Sequence, residues 1–484
     1  MLKQLLFLPI ALLSLAPAAR AQQYEIHVKI EGMRDSDIYL GYSYEDKRYV
    51  VDTAPMDGKG NAVFKKGKRL EKGVYFVVTP GPDYFELLIA DNQKFSVATK
   101  RANLFDNLEF KNSPENQQFY GYQKFMREEQ LRIDALKALQ KKNEAGKKDS
   151  VEIYRKQVEA AENGIEAYIK NLAAKNKGNF LGSLLNALRQ PEAPAFDIPE
   201  SVVNKDSVRR LYTYEYRRDH YFDNFDFADA GLIRTPFFKS NLDFFFQKVI
   251  YPAPDTIIKY ADRLIELSRA NNEMFHYITE YLFQYYQASE YMGHDAVVVH
   301  LADKYYLSGL ATWASDKYKS EIKERVNRMR HSLLGNIAPE LLLPTHENTY
   351  VSLLKTPAEL TVLCFWEPNC GHCKKELPRL WSLYQKFRDK GLVVFTVYTQ
   401  YKRPDWDAYI ADHQYDWIYA WDGVEGTKGG KPATFSTGSD FRTLYDIRST
   451  PTVFLLDKNK RIIAKRMDVE TLEKILNDRL SRNP

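Results

Sequence analysis

The chain has 484 residues, 44% of them hydrophobic, with three cysteines and a formal charge of +5. That apolar fraction excludes a wholly disordered chain, and at roughly 150 residues per domain the length suggests about three domains. The cysteines are too few for a disulfide-stapled scaffold, and so small a positive surplus on so long a chain gives no argument for nucleic acid.

Lys3, the apolar run over 5–19 and the small-x-small triplet Ala19-Arg20-Ala21 predict a secretory signal cleaved after Ala21. No cysteine near that site offers a lipid acceptor, and no later apolar run approaches the roughly 18 residues needed to cross a bilayer. The mature chain is therefore expected to be exported to the periplasm without a membrane span.

Residues 22–112 read as a β-sandwich. Tyr24 to Ile30 alternates strictly, the stretches 38–44 and 62–65 do so more loosely, and turn clusters at 57–61 and 80–83 punctuate them. Residues 113–335 read as an α-helical domain. Val151, Tyr154, Val158, Ala161, Ile165, Tyr168 and Leu172 keep a heptad spacing, as do Phe119, Tyr122, Met126, Ile133 and Leu136 with gaps. The polar stretch 141–150 between them predicts an antiparallel hairpin with a basic tip, a dimerising coiled coil being the alternative. A further helical run starts at Asp255. His276, His294, His300 and His331 are scattered, with no second and third ligand to place, so no metal is expected. Residues 336–484 read as an α/β domain: strands at 361–366, 392–398, 452–456 and 461–465 alternate with helices at 378–388 and 469–480.

The chemistry lies in Cys370-Gly371-His372-Cys373. Two cysteines two residues apart can close a disulfide within one turn. At a helix N-terminus, free backbone N–H groups and the helix dipole stabilise the first thiolate. The strand before, a permissive bend at Gly371 and the helix opening at Lys374 supply that setting, so Cys370 is the candidate nucleophile and Cys373 the resolving thiol. Haem attachment would need His where Lys374 stands. Zinc would need about two more ligands where only Cys364 remains. A peroxide-reducing cysteine would want Pro and Thr where Leu363 and Glu367 stand.

Phe365-Trp366-Glu367-Pro368-Asn369-Cys370-Gly371-His372-Cys373-Lys374-Lys375-Glu376-Leu377-Pro378 resembles the active-site segment of the thioredoxin fold. In particular it resembles the TlpA-like exported thiol-disulfide oxidoreductases, which include enzymes of cytochrome c maturation. The approach at 337–344 resembles that family's lead-in strand, and Ser449-Thr450-Pro451-Thr452 its cis-proline loop. The separation of Cys373 from Pro451 exceeds that in plain thioredoxin and fits the segment inserted in TlpA-like proteins. Residues 24–125 and the helical part resemble domains of unknown function that precede such domains in Bacteroidetes proteins.

The resemblance implies a C-terminal thioredoxin-like fold whose redox-active Cys370–Cys373 pair is its only cofactor. It implies protein dithiols and disulfides as substrates, and allows a membrane electron donor. Glu376 matches an acid that tunes the thiols, Pro451 the cis-proline, Thr450 a group that pairs with substrate backbone, and Trp366 the packing aromatic, here also counted with the substrate contacts. His372 is similar to the disulfide-isomerase motif, and an adjacent imidazole favours the Cys370 thiolate. Cys364 stands where plain thioredoxin has a buried carboxylate and reads as an inert core thiol. Residues 22–335 carry no candidate catalytic group, which assigns them to partner selection. The alternative to an enzyme is a periplasmic partner-binding protein whose thioredoxin-like domain only docks.

Overall fold

Tyr24, Ile26, Val28 and Ile30 all turn to one side of the first strand, and that alternation builds the first core. The computed structural model describes residues 24–143, 148–347, 349–400, 402–421 and 440–481, with side chains from residue 151 in the second stretch. The expected signal at 1–21 lies outside the described residues, as does the tip of the expected helical hairpin. The chain divides into two compact units, Met1–Val249 and Ile250–Pro484. The helical region read as one domain from the sequence contributes to both.

In the first unit, β1 (Tyr24–Glu31), β4 (Asn61–Lys66), β7 (Lys94–Lys100) and β8 (Glu109–Lys111) form one sheet in the order β4-β1-β7-β8. β2 (Asp37–Tyr44), β3 (Lys47–Pro55), β5 (Gly73–Val78) and β6 (Tyr84–Ile89) form the other in the order β3-β2-β5-β6. Ile26, Val28, Ile38, Leu40, Val77 and Leu87, drawn from both sheets, share one buried cluster, as a sandwich requires. The Tyr24 hydroxyl donates to Asp52 at 2.6 Å, and Lys66 neutralises that carboxylate at 2.9 Å, so this buried acid is satisfied on both counts.

α1 (Pro114–Asn143) and α2 (Lys148–Lys175) form the expected hairpin. Asn176 bonds Gln118 at 2.7 Å, Phe125 stacks on Tyr168 at 4.0 Å, and Ile133 packs with Val158 and Ala161. Residue numbers falling on one helix as they rise on the other mean antiparallel pairing inside one chain, so these heptads find their partner without a dimer. α3 (Phe180–Ala187), α4 (Lys205–His220) and α5 (Phe238–Phe244) complete this unit.

The second unit opens with α6 (Pro254–Ser268), α7 (Asn272–Gln287), α8 (His294–Leu301) and α9 (Asp316–Arg330). A short hairpin of β9 (Leu342–Pro344) and β10 (Tyr350–Ser352) leads into β11 (Leu360–Trp366), α10 (Gly371–Phe387), β12 (Leu392–Tyr398), α11 (Arg403–His413), β13 (Ile418–Trp421), α12 (Phe441–Leu444), β14 (Thr452–Asp457), β15 (Ile462–Lys465) and α13 (Val469–Ser481). The sheet order is β13-β12-β11-β14-β15, with β11 parallel to β12 and antiparallel to β14. Val362, Cys364 and Trp366 join Leu377 and Leu380 of α10 on one face, while Leu363 and Phe365 join Phe441 and Phe454 on the other. Burial on both faces explains why β11 reads as an unbroken apolar run.

Candidate active site

β11 ends at Trp366 and α10 begins at Gly371, so the chain turns from a buried strand into a helix across Glu367 to Cys370. Cys370 occupies the cap position of α10, and its carbonyl accepts the first helical bond, from Lys374 N–H at 3.0 Å. Gly371 corrects one expectation. Its backbone is ordinary helix, and a Cβ built there would meet nothing within 4 Å, so the bend does not need glycine. The helix expected to open at Lys374 starts at Gly371 and runs unbroken through Pro378, so the stretch read at 378–388 is its continuation.

The two thiols differ as their roles demand. Cys370 is half-buried, and its Sγ lies 3.1 Å from the Thr450 carbonyl oxygen. Burial opposes its thiolate, but the N–H of Cys373, the Thr450 side chain, the Cys373 thiol and the N–H of His372 outweigh it and bring the Cys370 thiol below its ordinary range. Cys373 is 1% exposed, and burial pushes its thiol up to about 12. Cys364, in mid-strand, is also pushed up by burial. Iodoacetamide should therefore label Cys370 first, with a midpoint below the roughly 8.5 of a free thiol. Labelling of Cys364 or Cys373 before Cys370 in a tryptic map would reverse the roles.

The Thr450–Pro451 bond is cis, and the Thr450 carbonyl of that peptide lies against Cys370. A cavity of about 560 Å³ opens beside them, lined by His372, Glu376, Arg448, Thr450, Pro451 and Val469 among others. Glu376 accepts from Arg379 at 2.9 Å and from the Val469 N–H at 3.1 Å, tying the start of α13 to α10. Trp366 is a correction. It is fully buried, packed on Tyr409 at 4.5 Å and Tyr398 at 6.1 Å, so it supports the sheet and cannot touch a substrate.

Two groups escaped the sequence. Glu367 accepts the Thr450 hydroxyl at 3.0 Å, holding the cis-proline loop from the strand side. Its only sequence signal is an acid three places before the nucleophile. Asp446, itself buried, draws in Arg448 at 2.9 Å and Arg466 at 2.6 Å and so braces the same loop from behind.

Residues 334–465 match the AhpC/TSA family. With the sheet order, the Cys370–Cys373 pair and the cis Thr450–Pro451 bond in place, that match decides the assignment. This segment is a thioredoxin-like domain of the AhpC/TSA family. Residues 24–119 and 169–336 match two domains of unknown function, DUF4369 and DUF5106. The thiol-disulfide oxidoreductase ResA of Bacillus cereus is 23% identical over 142 residues, which cover 29% of this chain and 74% of that protein. A domain of a possible thiol-disulfide isomerase from Cytophaga hutchinsonii is 34% identical, covering 31% of this chain and 94% of its own, with a TM-score of 0.27. A thioredoxin-like protein from Bacteroides caccae is 19% identical, covering 60% of this chain and 98% of its own, with a TM-score of 0.44. The AhpC/TSA domain makes this chain a thioredoxin-like oxidoreductase.

Proposed function

We propose that the chain is an exported thiol-disulfide oxidoreductase that exchanges disulfides with protein substrates through Cys370 and Cys373. The observation that carries this reading is the asymmetric pair: a half-buried Cys370 with a lowered pKa beside Pro451, and a protonated Cys373 behind it. In the reducing direction the Cys370 thiolate attacks one sulfur of a substrate disulfide. The substrate S–S bond breaks, its leaving thiolate takes a proton, and a mixed disulfide forms. Cys373 then loses its proton and attacks the Cys370 sulfur, which releases the second substrate thiol and leaves a Cys370–Cys373 disulfide. Two electrons pass from the dithiol to the substrate, so no further cofactor is needed. After a substrate is reduced, a membrane electron donor would restore the dithiol; oxidation of a substrate is the same sequence in reverse, leaves the dithiol and would need an electron acceptor instead.

Export rests on the Ala19-Arg20-Ala21 site, and no helix among the described residues is long and apolar enough to cross a membrane. A Cys373→Ser variant expressed in cells should accumulate mixed disulfides through Cys370, on a chain whose mass places its first residue at Gln22. Failure to trap any protein on an otherwise folded variant would favour the docking-module alternative.

Glu376 adds a negative charge to the cavity that His372 and Pro451 line. A nearby negative charge opposes the thiolate. Glu376→Gln should therefore leave the fold intact and move the Cys370 alkylation midpoint to lower pH. An unchanged midpoint would confine Glu376 to tethering α13.

A further inference from the structure

We propose that the groove beside α4, in the first unit, binds an extended acidic peptide segment. α4 buries none of its residues, and one of its faces borders an open cavity of about 760 Å³ whose lining also includes Phe244, Lys248 and Val249. Arg209, Arg210, Arg217, Arg218 and Lys248 line this groove, against a single carboxylate, Asp206. Arg218 is held by Asp219 at 3.0 Å, and Arg209 approaches Asp206 at 3.9 Å. Arg210, Arg217 and Lys248 form no ion pair among the described residues, which leaves three cations around one concave surface. Like charges gathered without partners repel one another, and an anionic ligand relieves that repulsion.

The walls are apolar and held in place. Tyr214 is 46% and Phe244 53% exposed, far more than large aromatics usually are without an occupant. The Tyr214 hydroxyl donates to the Val249 carbonyl at 2.7 Å, and Tyr221 donates to Asn241 at 2.9 Å while its ring stacks on Phe244 at 6.4 Å. Asp206 to Arg218 spans about 18 Å of helix at 1.5 Å per residue. That length matches about five residues of extended chain and is far more than one phosphate or carboxylate would use. The Arg218 guanidinium lies over the Tyr214 ring at 5.6 Å, so this ring face is taken and offers no platform for a nucleic-acid base. Cations interleaved with fixed aromatics suit a segment rich in Asp or Glu with apolar or aromatic residues between. The site uses neither Cys370 nor Cys373 and stands independently of the oxidoreductase reading.

The test uses the full chain with Cys370 alkylated and a fluorescein-labelled hexapeptide of alternating Glu and Tyr, read by polarisation. Binding should weaken as salt rises, should be absent for the matching Gln-Tyr peptide, and should fall by at least about tenfold in an Arg217→Glu, Lys248→Glu double variant. An Arg210→Gln, Arg217→Gln variant gives the same reading should charge reversal disturb folding, which circular dichroism reports. Undiminished binding by a folded variant would overturn the proposal. So would tighter, variant-sensitive binding to an oligo-dT strand or to phosphatidylglycerol vesicles, each of which would reassign the groove to that ligand.

Discussion

Cys370→Ser should reduce disulfide exchange by about a thousandfold or more, the scale on which losing a nucleophile is felt, while Cys373→Ser should keep the first half of the reaction. The difference follows from where the two sulfurs sit. Cys370 is the half-exposed one, its Sγ 3.1 Å from the carbonyl of the cis Thr450–Pro451 peptide, and hydrogen bonds from the N–H groups of Cys373 and His372 favour its thiolate. A serine hydroxyl there would stay protonated and could not attack. Cys373 is buried, with its thiol pushed up to about 12, so it contributes little thiolate near neutral pH until a mixed disulfide is already on Cys370. Stopped-flow measurement with a chromogenic aryl disulfide separates the steps. Cys373→Ser should give one fast equivalent of released thiol and then stall, whereas Cys370→Ser should give none. A burst from Cys370→Ser of similar size would move the nucleophile to Cys373 and undo the proposed order of events.

What the sequence disclosed and what it withheld follow the range of the interactions. Cys370 and Cys373 are three positions apart on one helix turn, and β11 is buried on both faces, so local spacing and an apolar run were enough to find them. Pro451 was reached only through a resemblance, because nothing near it in the sequence says that it faces a thiol on another element. Glu367 went unnoticed because its partner, the Thr450 hydroxyl, is 83 positions away. Trp366 holds as the packing aromatic and not as a substrate contact: β11 is buried on both faces, and alternation places this ring on the α10 side, against Tyr398 and Tyr409. The helix that the sequence opens at Lys374 begins at Gly371 with Cys370 as its cap, and it carries Pro378 as an interior residue. α11 and β13 were missed altogether. Trp406 of α11 is fully buried but stands among polar neighbours, so its packing against Tyr398 and Trp421 leaves no clear period to read. The division at Val249 and Ile250 has no composition shift to mark it, because helices lie on both sides.

That division changes what a stable fragment should be. A chain starting at Asn336 contains the dithiol, Glu376 and Pro451, and is expected to keep exchange with a small disulfide. It would lose the helices α6 to α9, which share the compact unit with the thioredoxin-like domain. The joint between them centres on Lys465 of β15, whose side chain is 3% exposed. Its ammonium is paired with the Asp295 carboxylate of α8 and donates to the Ser332 carbonyl at 2.6 Å. The Gly335 N–H donates to the Ile462 carbonyl at 2.8 Å, extending the joint along the same strand. Removing one partner from a buried ion pair strands the other charge and costs about 3–5 kcal/mol. In a fragment starting at Ile250, Asp295→Ala should therefore lower unfolding stability by about that amount, measured by urea titration. The pH dependence has a definite sign. Burial lowers the Lys465 pKa, and Asp295 works against that shift. A depressed lysine binds fewer protons folded than unfolded, so stability rises with pH between the folded value and the unfolded value of about 10.4. Without Asp295 the folded value falls further, so the variant should recover more stability than the parent as pH rises from neutral. The fragment starting at Asn336 escapes the penalty differently, because Lys465 then meets water. It should melt below the fragment starting at Ile250, yet lack the variant's steep recovery with pH. If Asp295→Ala cost less than about 1 kcal/mol, the range of an exposed pair, Lys465 would have to find water inside the joint. The helices would then be held to the thioredoxin-like domain by their apolar contacts and the Gly335–Ile462 bond.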